Sequence, residues 1–341
     1  MTSEASAPDV STDLAPLVKA YDLGRVHEVR YLAEGLMNRN WRLSTARGDF
    51  VLKQILDVSL PLARRNLAVV AALATAGVPA APAALTTGGE FVFETDGRGY
   101  ALFPWVEGEH IAGTDLREEQ ACALGAVLAR IHGALNEVGK ELLPEKPAGL
   151  TASVASPDRA RSEAERFLAL AAAYGSAFAA EATGFVQQRL VLLDKYAGQR
   201  PTSDAPLGPF GWRHGDFQHL NVKWYEGRIS AVLDWDRIRV GSFGEEVARS
   251  ATLLFGREQG DLDLARVTAF VHGYRSVRPL ADEDLNDAVL RLWWKRMCDY
   301  WHLEFHYDRG DHSCDHLFLS ASLFLEWWTS HFDEVQTAFV A

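Results

Sequence analysis

Cysteine is scarce: Cys122, Cys298 and Cys314 are the three in 341 residues, and no two stand in a CxxC spacing. That excludes a disulfide framework and fits a reducing compartment. Basic residues are also short, 34 Lys and Arg against 46 Asp and Glu, for a formal net charge of −12. No stripe of lysine and arginine is visible, which argues against general nucleic-acid binding. The charge is compatible with cationic or neutral small ligands, but net charge speaks mainly to solubility. No apolar run approaches the roughly 20 residues needed to cross a bilayer. The opening MTSEASAPDVSTD lacks the basic and apolar regions of a signal peptide. These absences predict a cytoplasmic protein with neither a membrane nor a nucleic-acid partner. What remains is a chain 48% hydrophobic and 23% charged, ordinary for a soluble globular protein and too long for one small core.

Residues 1–12 read as disordered, and a short helix follows to about Tyr21. VHEVRYLAE, NWRLSTA and FVLKQIL then read as strands, separated by turns around Gly35–Asn38 and Arg47-Gly48-Asp49. Apolar residues recur at helical spacing from Leu62 to Ala76, and Gly77-Val78-Pro79 stops that helix. FVFET and GYALFPW read as two more strands around Asp96-Gly97-Arg98-Gly99. Past Gly108 the texture becomes helical, over 118–137 and roughly 159–198, and again from Phe243 onward. NVKWY and ISAVLDW form a strand pair between the helical regions. The plan is a small sheet lobe over 13–106 and a mostly helical lobe over 107–341.

HGDFQHLN, residues 214–221, crowds His214, Asp216, Gln218 and Asn221 around Phe217 and Leu220. Buried polar side chains are costly unless each finds a partner, so this composition points to a site. Asn221 lies five residues after Asp216, and Asp234, in VLDWD, lies eighteen after it. Phosphoryl transfer from ATP needs a carboxylate near the acceptor hydroxyl and hard oxygen ligands that hold Mg²⁺ against the phosphates. A carboxylate, an amide and a hairpin carrying a second carboxylate supply that set.

On HGDFQHLN and VLDWDRIRVG the chain resembles the aminoglycoside phosphotransferase and choline kinase superfamily, with its pattern HGDxxxxN followed by D-[FW]-[DE]. The resemblance runs from about Tyr21 to Gly256. It implies an α+β, protein-kinase-like fold of two lobes, a small antiparallel-sheet N-lobe and a larger, mostly helical C-lobe. It also implies an ATP- and Mg²⁺-dependent phosphotransferase that acts on a hydroxyl group of a small molecule: an aminoglycoside-like antibiotic, an amino alcohol such as homoserine or choline, or a sugar. Asp216 is then the catalytic base or acceptor-orienting carboxylate, and Asn221 and Asp234 hold Mg²⁺. His214 packs within the loop. Asp236 stands open between a metal or substrate contact and an anchor of its own loop. Glu246, in GSFGEEVARSA, occupies the position that braces the catalytic loop in the family. Two other readings stay open, a protein Ser/Thr kinase of the same fold and a nucleotide-binding pseudokinase.

EGLMNRNWRLST resembles the G-x-x-N-x-N-[WY] turn of the homoserine-kinase-like branch, which places Gly35, Asn38 and Asn40 against the nucleotide. Lys53 stands like the lysine that neutralises the α and β phosphates. Trp105 and Val106, in ALFPWVEGEH, form the hinge against adenine. The family's lysine-pairing glutamate falls at Asn66, and no acid occurs between Leu60 and Gly89. The Lys–Glu pair is therefore expected to be missing, and a glutamate at 66 to strengthen ATP use. For the acceptor, His219 and the C-terminal stretch KRMCDYWHLEFHYDRGDHSCDH are the candidates, with Asp299, His302, Glu304 and His306 foremost. That stretch also carries Asp308, Asp311, His312, Asp315 and His316. His302 and His306, four apart, would share a helix face, where a metal is one alternative to a polar acceptor pocket. Trp293, Trp294, Trp301, Trp327 and Trp328 are expected mainly in the core.

Overall fold

The structure, a computed structural model, describes residue 8, residues 10–33 and residues 37–341. Gly35 lies outside the described residues, as does most of the stretch expected to be disordered. Two compact units divide the chain. One comprises residues up to 111 with 130–145 and 212–239; the other comprises 112–129, 146–211 and 240–341.

In the first unit, helix α1 (Ser11–Ala20) precedes strands β1 (Val26–Leu32), β2 (Arg39–Thr45) and β3 (Gly48–Gln54). Ser11 and Thr12 are thus already helical. After helix α2 (Leu60–Thr75) come β4 (Phe93–Thr95) and β5 (Arg98–Pro104). The five strands form an antiparallel sheet in the order β1-β2-β3-β5-β4. Helix α2 starts two residues before its expected first residue, because Pro61 sits in the first turn, where its missing N–H has no helical acceptor to serve.

Alternation sorts the sheet's faces. Trp41, Leu43, Leu52, Tyr100 and Leu102 pack with Leu17 of α1 and with Tyr21 just after it. Each large apolar side chain buried this way contributes about 1.5–3 kcal/mol. Asp13 is buried on α1 but satisfied, since Arg98 and Tyr100 of β5 both donate to it. On the other face Ala101 packs with Ala63 and Leu67 of α2. Asn40, Lys53 and Ala101 stand in register across β2, β3 and β5, so Lys53 projects on the α2 face.

Strand β6 (Phe210–Arg213) leads into the HGDFQHLN loop, and β7 (Val222–Tyr225) pairs antiparallel with β8 (Arg228–Val232). That hairpin delivers Asp234 and Asp236 just beyond its second strand.

The second unit is helical, with α4 (Pro157–Tyr174), α5 (Ala177–Tyr196), α6 (Phe243–Phe255), α7 (Leu264–Arg275), α8 (Asp282–Cys298), α10 (Asp315–Ser330) and α11 (Phe332–Val340) as its longer members; α3 (Glu118–Glu137) precedes them, and α9 (Trp301–Leu303) is a single turn. The helix expected over 159–198 is two helices. Gly175 takes a left-handed conformation at φ +63°, and Ser176 then caps α5 by accepting from the Ala179 N–H at 3.0 Å. A Cβ on Gly125 of α3 would come within 1.8 Å of the Phe270 carbonyl, and one on Gly273 of α7 within 1.9 Å of the Cys122 carbonyl. Those two glycines let the α3 and α7 backbones touch. Trp293, Trp294 and Trp328 are fully buried, whereas Trp301 is partly exposed. Glu246 is buried in the first turn of α6.

Candidate active site

The HGDFQHLN loop is ordered by its own polar groups. The His214 Nδ1 accepts the Asp216 N–H at 3.2 Å, which makes its Nε2–H the donor to the Leu233 carbonyl at 3.1 Å. His214 is fully buried, with its ring 4.6 Å from that of Trp235. It joins the loop to the chain just before Asp234. Gly215 sits at φ +86°, and a Cβ there would come within 2.2 Å of the Arg237 carbonyl. Phe217 is buried, but Leu220 is exposed and plays no part in the core. Gln218 caps the following turn by accepting from the Leu220 N–H at 3.0 Å.

The Asn221 amide donates to the Asp216 carbonyl at 2.8 Å and to its carboxylate Oδ2 at 3.0 Å. This fixes the Asp216 side chain and directs the Asn221 carbonyl oxygen to the other side of the amide. Asp234, at φ 55°, holds a left-handed conformation that is uncommon for a residue with a side chain.

Lys53 meets two carboxylates, Asp236 Oδ2 at 2.7 Å and Asp234 Oδ1 at 2.9 Å. Burial opposes its charge, but the two aspartates hold the ammonium above lysine's ordinary value. For Asp234, partial desolvation acts upward, and the Lys53 ammonium more than offsets it, holding the carboxyl below its ordinary range. Asp234 remains 41% exposed, whereas Asp236 is only 13% exposed. Asp234 is the carboxylate presented outward, and Asp236 is the interior partner of the lysine.

The pair expected to be missing is thus made by another residue. Asn66 does not substitute for the family's glutamate as an acceptor toward Lys53. Its side-chain amide donates to the carbonyls of Trp235 and Asp236, at 3.1 and 3.0 Å, in a buried position. Arg65 in turn donates to the Asn66 oxygen. Asn38 completes the frame. Its amide N–H donates to Asp236 Oδ2 at 2.9 Å, and its oxygen accepts the N–H groups of Leu56 and Asp57. Asn38, expected against the nucleotide, therefore has its oxygen engaged just past β3.

Asp57 and Arg237 escaped the reading of the sequence. They form an ion pair at 2.8 Å, with the Asp57 side chain buried. Burial pushes the Asp57 carboxyl up; Arg237 opposes this, while Asp236 and Asp234 add to it. The available signal was an acid four residues past Lys53 and a base directly after DWD. At the hinge, the Trp105 N–H donates to the Asp49 carbonyl at 2.9 Å, continuing the sheet, and its ring lies under the Arg42 guanidinium. Burial holds the His219 imidazole below its ordinary value, with His110 adding to the effect.

Lys53, Asp216, Asn221, Asp234 and Asp236 all lie in one compact unit. This set places an outward carboxylate, an amide oxygen, a second fixed carboxylate and a lysine in one unit. The match to the Phosphotransferase enzyme family extends over residues 28–280. The chain belongs to that family. It is a small-molecule phosphotransferase with the α+β, protein-kinase-like fold. Among curated proteins it is similar to the homoserine kinase of Methylobacillus flagellatus, 26% identical over 293 residues and 83% of each chain. A homoserine kinase of a Bradyrhizobium species is 26% identical over 312 residues, 86% of each. Among solved structures, an amicoumacin kinase in complex with AMP-PNP, Ca²⁺ and its ligand is 17% identical at a TM-score of 0.61, over 97% of this chain and 94% of that one. A microcompartment-associated aminopropanol kinase is 18% identical at a TM-score of 0.61, over 98% and 99%. At such identities these two structures speak for the fold alone.

The other candidates lie in the second unit. Asp299 accepts the Trp301 N–H at 3.1 Å, and its carbonyl receives the buried Arg189 guanidinium. His302 is buried and stacked on Trp301 at 3.8 Å. Glu304 opens a π-helical turn, Glu304–Asp308, with His306 engaged elsewhere, on Asp315 and His312. His302 and His306 do not form the pair that their spacing predicts, because the helix changes its pitch between them. Among the described residues no helix is long and apolar enough to cross a membrane.

Proposed function

We propose that this phosphotransferase moves the γ-phosphoryl group of ATP, with Mg²⁺, to a hydroxyl group of a small amino alcohol, homoserine being the first to try. The observation that carries the reading is Asp216, a carboxylate fixed by Asn221 in the same compact unit as the Lys53–Asp234 pair. The acceptor class rests on the homoserine kinases, which match this chain over more than four-fifths of their length.

The donor set fits magnesium, since Asn221 and Asp234 offer hard oxygens. Magnesium, when bound, neutralises phosphate charge. The rest falls to the chain. Lys53 is kept charged by Asp236 and stands ready for phosphate oxygens. The backbone near Trp105 and Val106 pairs with the adenine edge, and Asn40, beside Lys53 in the sheet, belongs to the phosphate side in this reading. Asp216 accepts the proton of the acceptor hydroxyl as its oxygen bonds to the γ-phosphorus and the bond to the ADP oxygen breaks. His219, in the same loop as Asp216, belongs to the acceptor side in this reading. The protein works in the cytoplasm.

The test is a panel of amino alcohols, aminoglycosides and sugars, screened for acceptor-dependent ADP release from Mg²⁺-ATP. With a true acceptor, Asp216→Asn is expected to lower turnover by about 10²–10⁴-fold, while nucleotide affinity stays. Undiminished turnover in that variant would remove Asp216 from the chemistry. Turnover with sugars alone would overturn the acceptor class.

A further inference from the structure

We propose that His306, His312 and Asp315 form a binding site for one divalent transition-metal ion of the zinc class, in the second unit and separate from the magnesium set. His306 is the middle residue of the π-helical turn, Asp315 is the first residue of α10, and His312 lies in the segment between them. The His306 Nδ1 lies 2.8 Å from Asp315 Oδ1 and 3.0 Å from His312 Nδ1, and His312 Nδ1 lies 3.6 Å from Asp315 Oδ2.

Three ligand atoms of a tetrahedral ion with bonds of about 2.0–2.1 Å are separated by about 3.3 Å. The closest approaches of the three side chains, 2.8, 3.0 and 3.6 Å, fall on both sides of that value, with Asp315 turning Oδ1 to His306 and Oδ2 to His312. One ligand atom from each residue lies within 4.8 Å of the others. Protons alone serve this arrangement poorly. One ring nitrogen, His306 Nδ1, faces a carboxylate oxygen and a second ring nitrogen at once, and a single N–H or lone pair cannot satisfy both fully. A dication at the centre satisfies all three. Two imidazoles and one carboxylate favour zinc and its neighbours over magnesium or calcium, which take oxygen ligands.

The setting is built rather than incidental. The His306 ring is buried, with Phe178 at 4.4 Å on one side and Tyr307 at 4.4 Å edge-on. Its orientation is fixed before any ligand arrives. His312 is 63% exposed and Asp315 21%, so the fourth position faces water and the ion has a way in. The ion would tie the segment 309–314 to the π-helical turn and to the start of α10.

The experiment uses full-length protein stripped with a chelator and held in excess Mg²⁺. Calorimetric titration with Zn²⁺ is expected to show one saturable ion per chain, with a melting temperature that rises with Zn²⁺ concentration. Co²⁺ in place of Zn²⁺ is expected to give the visible absorption of a four-coordinate ion. His312→Ala, an exposed position whose loss leaves the fold intact, should weaken Zn²⁺ by at least about tenfold and remove the thermal shift. Asp315→Asn should do the same, and circular dichroism without metal checks both folds. Absence of one-to-one binding, or Zn²⁺ affinity unchanged in both variants, overturns the site. Neither result bears on phosphoryl transfer, because the readout is metal binding.

Discussion

Replacing Asn66 by aspartate changes one NH₂ group into an oxygen and leaves the shape alone. In the structure that NH₂ serves the carbonyls of Trp235 and Asp236, at 3.1 and 3.0 Å, in a position 2% exposed to water. A buried acceptor left without its donor costs about 1–3 kcal/mol, and two are lost here. Against this, Arg65 already donates to the Asn66 oxygen and would do so more strongly to a carboxylate, a gain of about 1 kcal/mol. The balance is a loss of about 3 kcal/mol, which at about 2.1 cal/mol/K of unfolding entropy per residue lowers Tm by roughly 4 °C in a chain of 341 residues. Differential scanning calorimetry reads it directly. Asn66→Glu is the companion variant. As a lysine partner it should tighten ATP binding; as a lost donor beside Asp234 and Asp236 it should weaken ATP binding and stability together, and the structure favours the loss. An Asn66→Asp melt within about 2 °C of the parent, or an Asn66→Glu variant that binds ATP more tightly, would refute the clamp.

Three more outcomes are expected. Asp234→Ala should abolish the Mg²⁺-dependent part of the thermal shift produced by ATP, and a thermal-shift titration with and without Mg²⁺ checks it. His302 is held neutral down to about 3 by burial, with Arg189, Arg296 and His316 adding to the effect, against an ordinary 6.5. Its folded value lies below the unfolded one, so its stability contribution is complete above pH 6.5 and is lost as pH falls toward 3, by up to roughly 4–5 kcal/mol. His302→Phe keeps the stack on Trp301 and should flatten urea-derived stability across that window; an unchanged slope would sink the assignment. Gly215→Ala must hold φ +86° and a Cβ 2.2 Å from the Arg237 carbonyl. Strain of about 1–3 kcal/mol plus that overlap should appear as a lower Tm and lost turnover, measured side by side.

Local rules carried much of this molecule. Alternation in NWRLST and FVLKQ gives the strand faces, and a five-residue offset within one loop is short enough to bring Asn221 onto Asp216. Lys53 meeting Asp234 was not foreseen, since 181 residues separate them and the resemblance gave each a different partner. The unread part is of one kind. Asn66 on Trp235 and Asp236, Asn38 on Asp236, and Arg237 on Asp57 join segments distant in sequence through single polar atoms, and neither periodicity nor composition records such pairs. His306 fails for a different reason. Side chains four apart share a face only at the α-helical pitch, and residues 304–308 are wound more loosely.

Asn38 receives the backbone N–H groups of Leu56 and Asp57, just past β3, while its own amide grips Asp236. Asn38 therefore ties the start of β2 to the segment carrying the outward carboxylate. In the proposed reading these two segments serve nucleotide and metal, so each ligand is expected to raise the affinity of the other. Such coupling acts on both by the same factor, because linkage is reciprocal. Cutting the tie with Asn38→Ala would leave two ligands that still bind but no longer help each other.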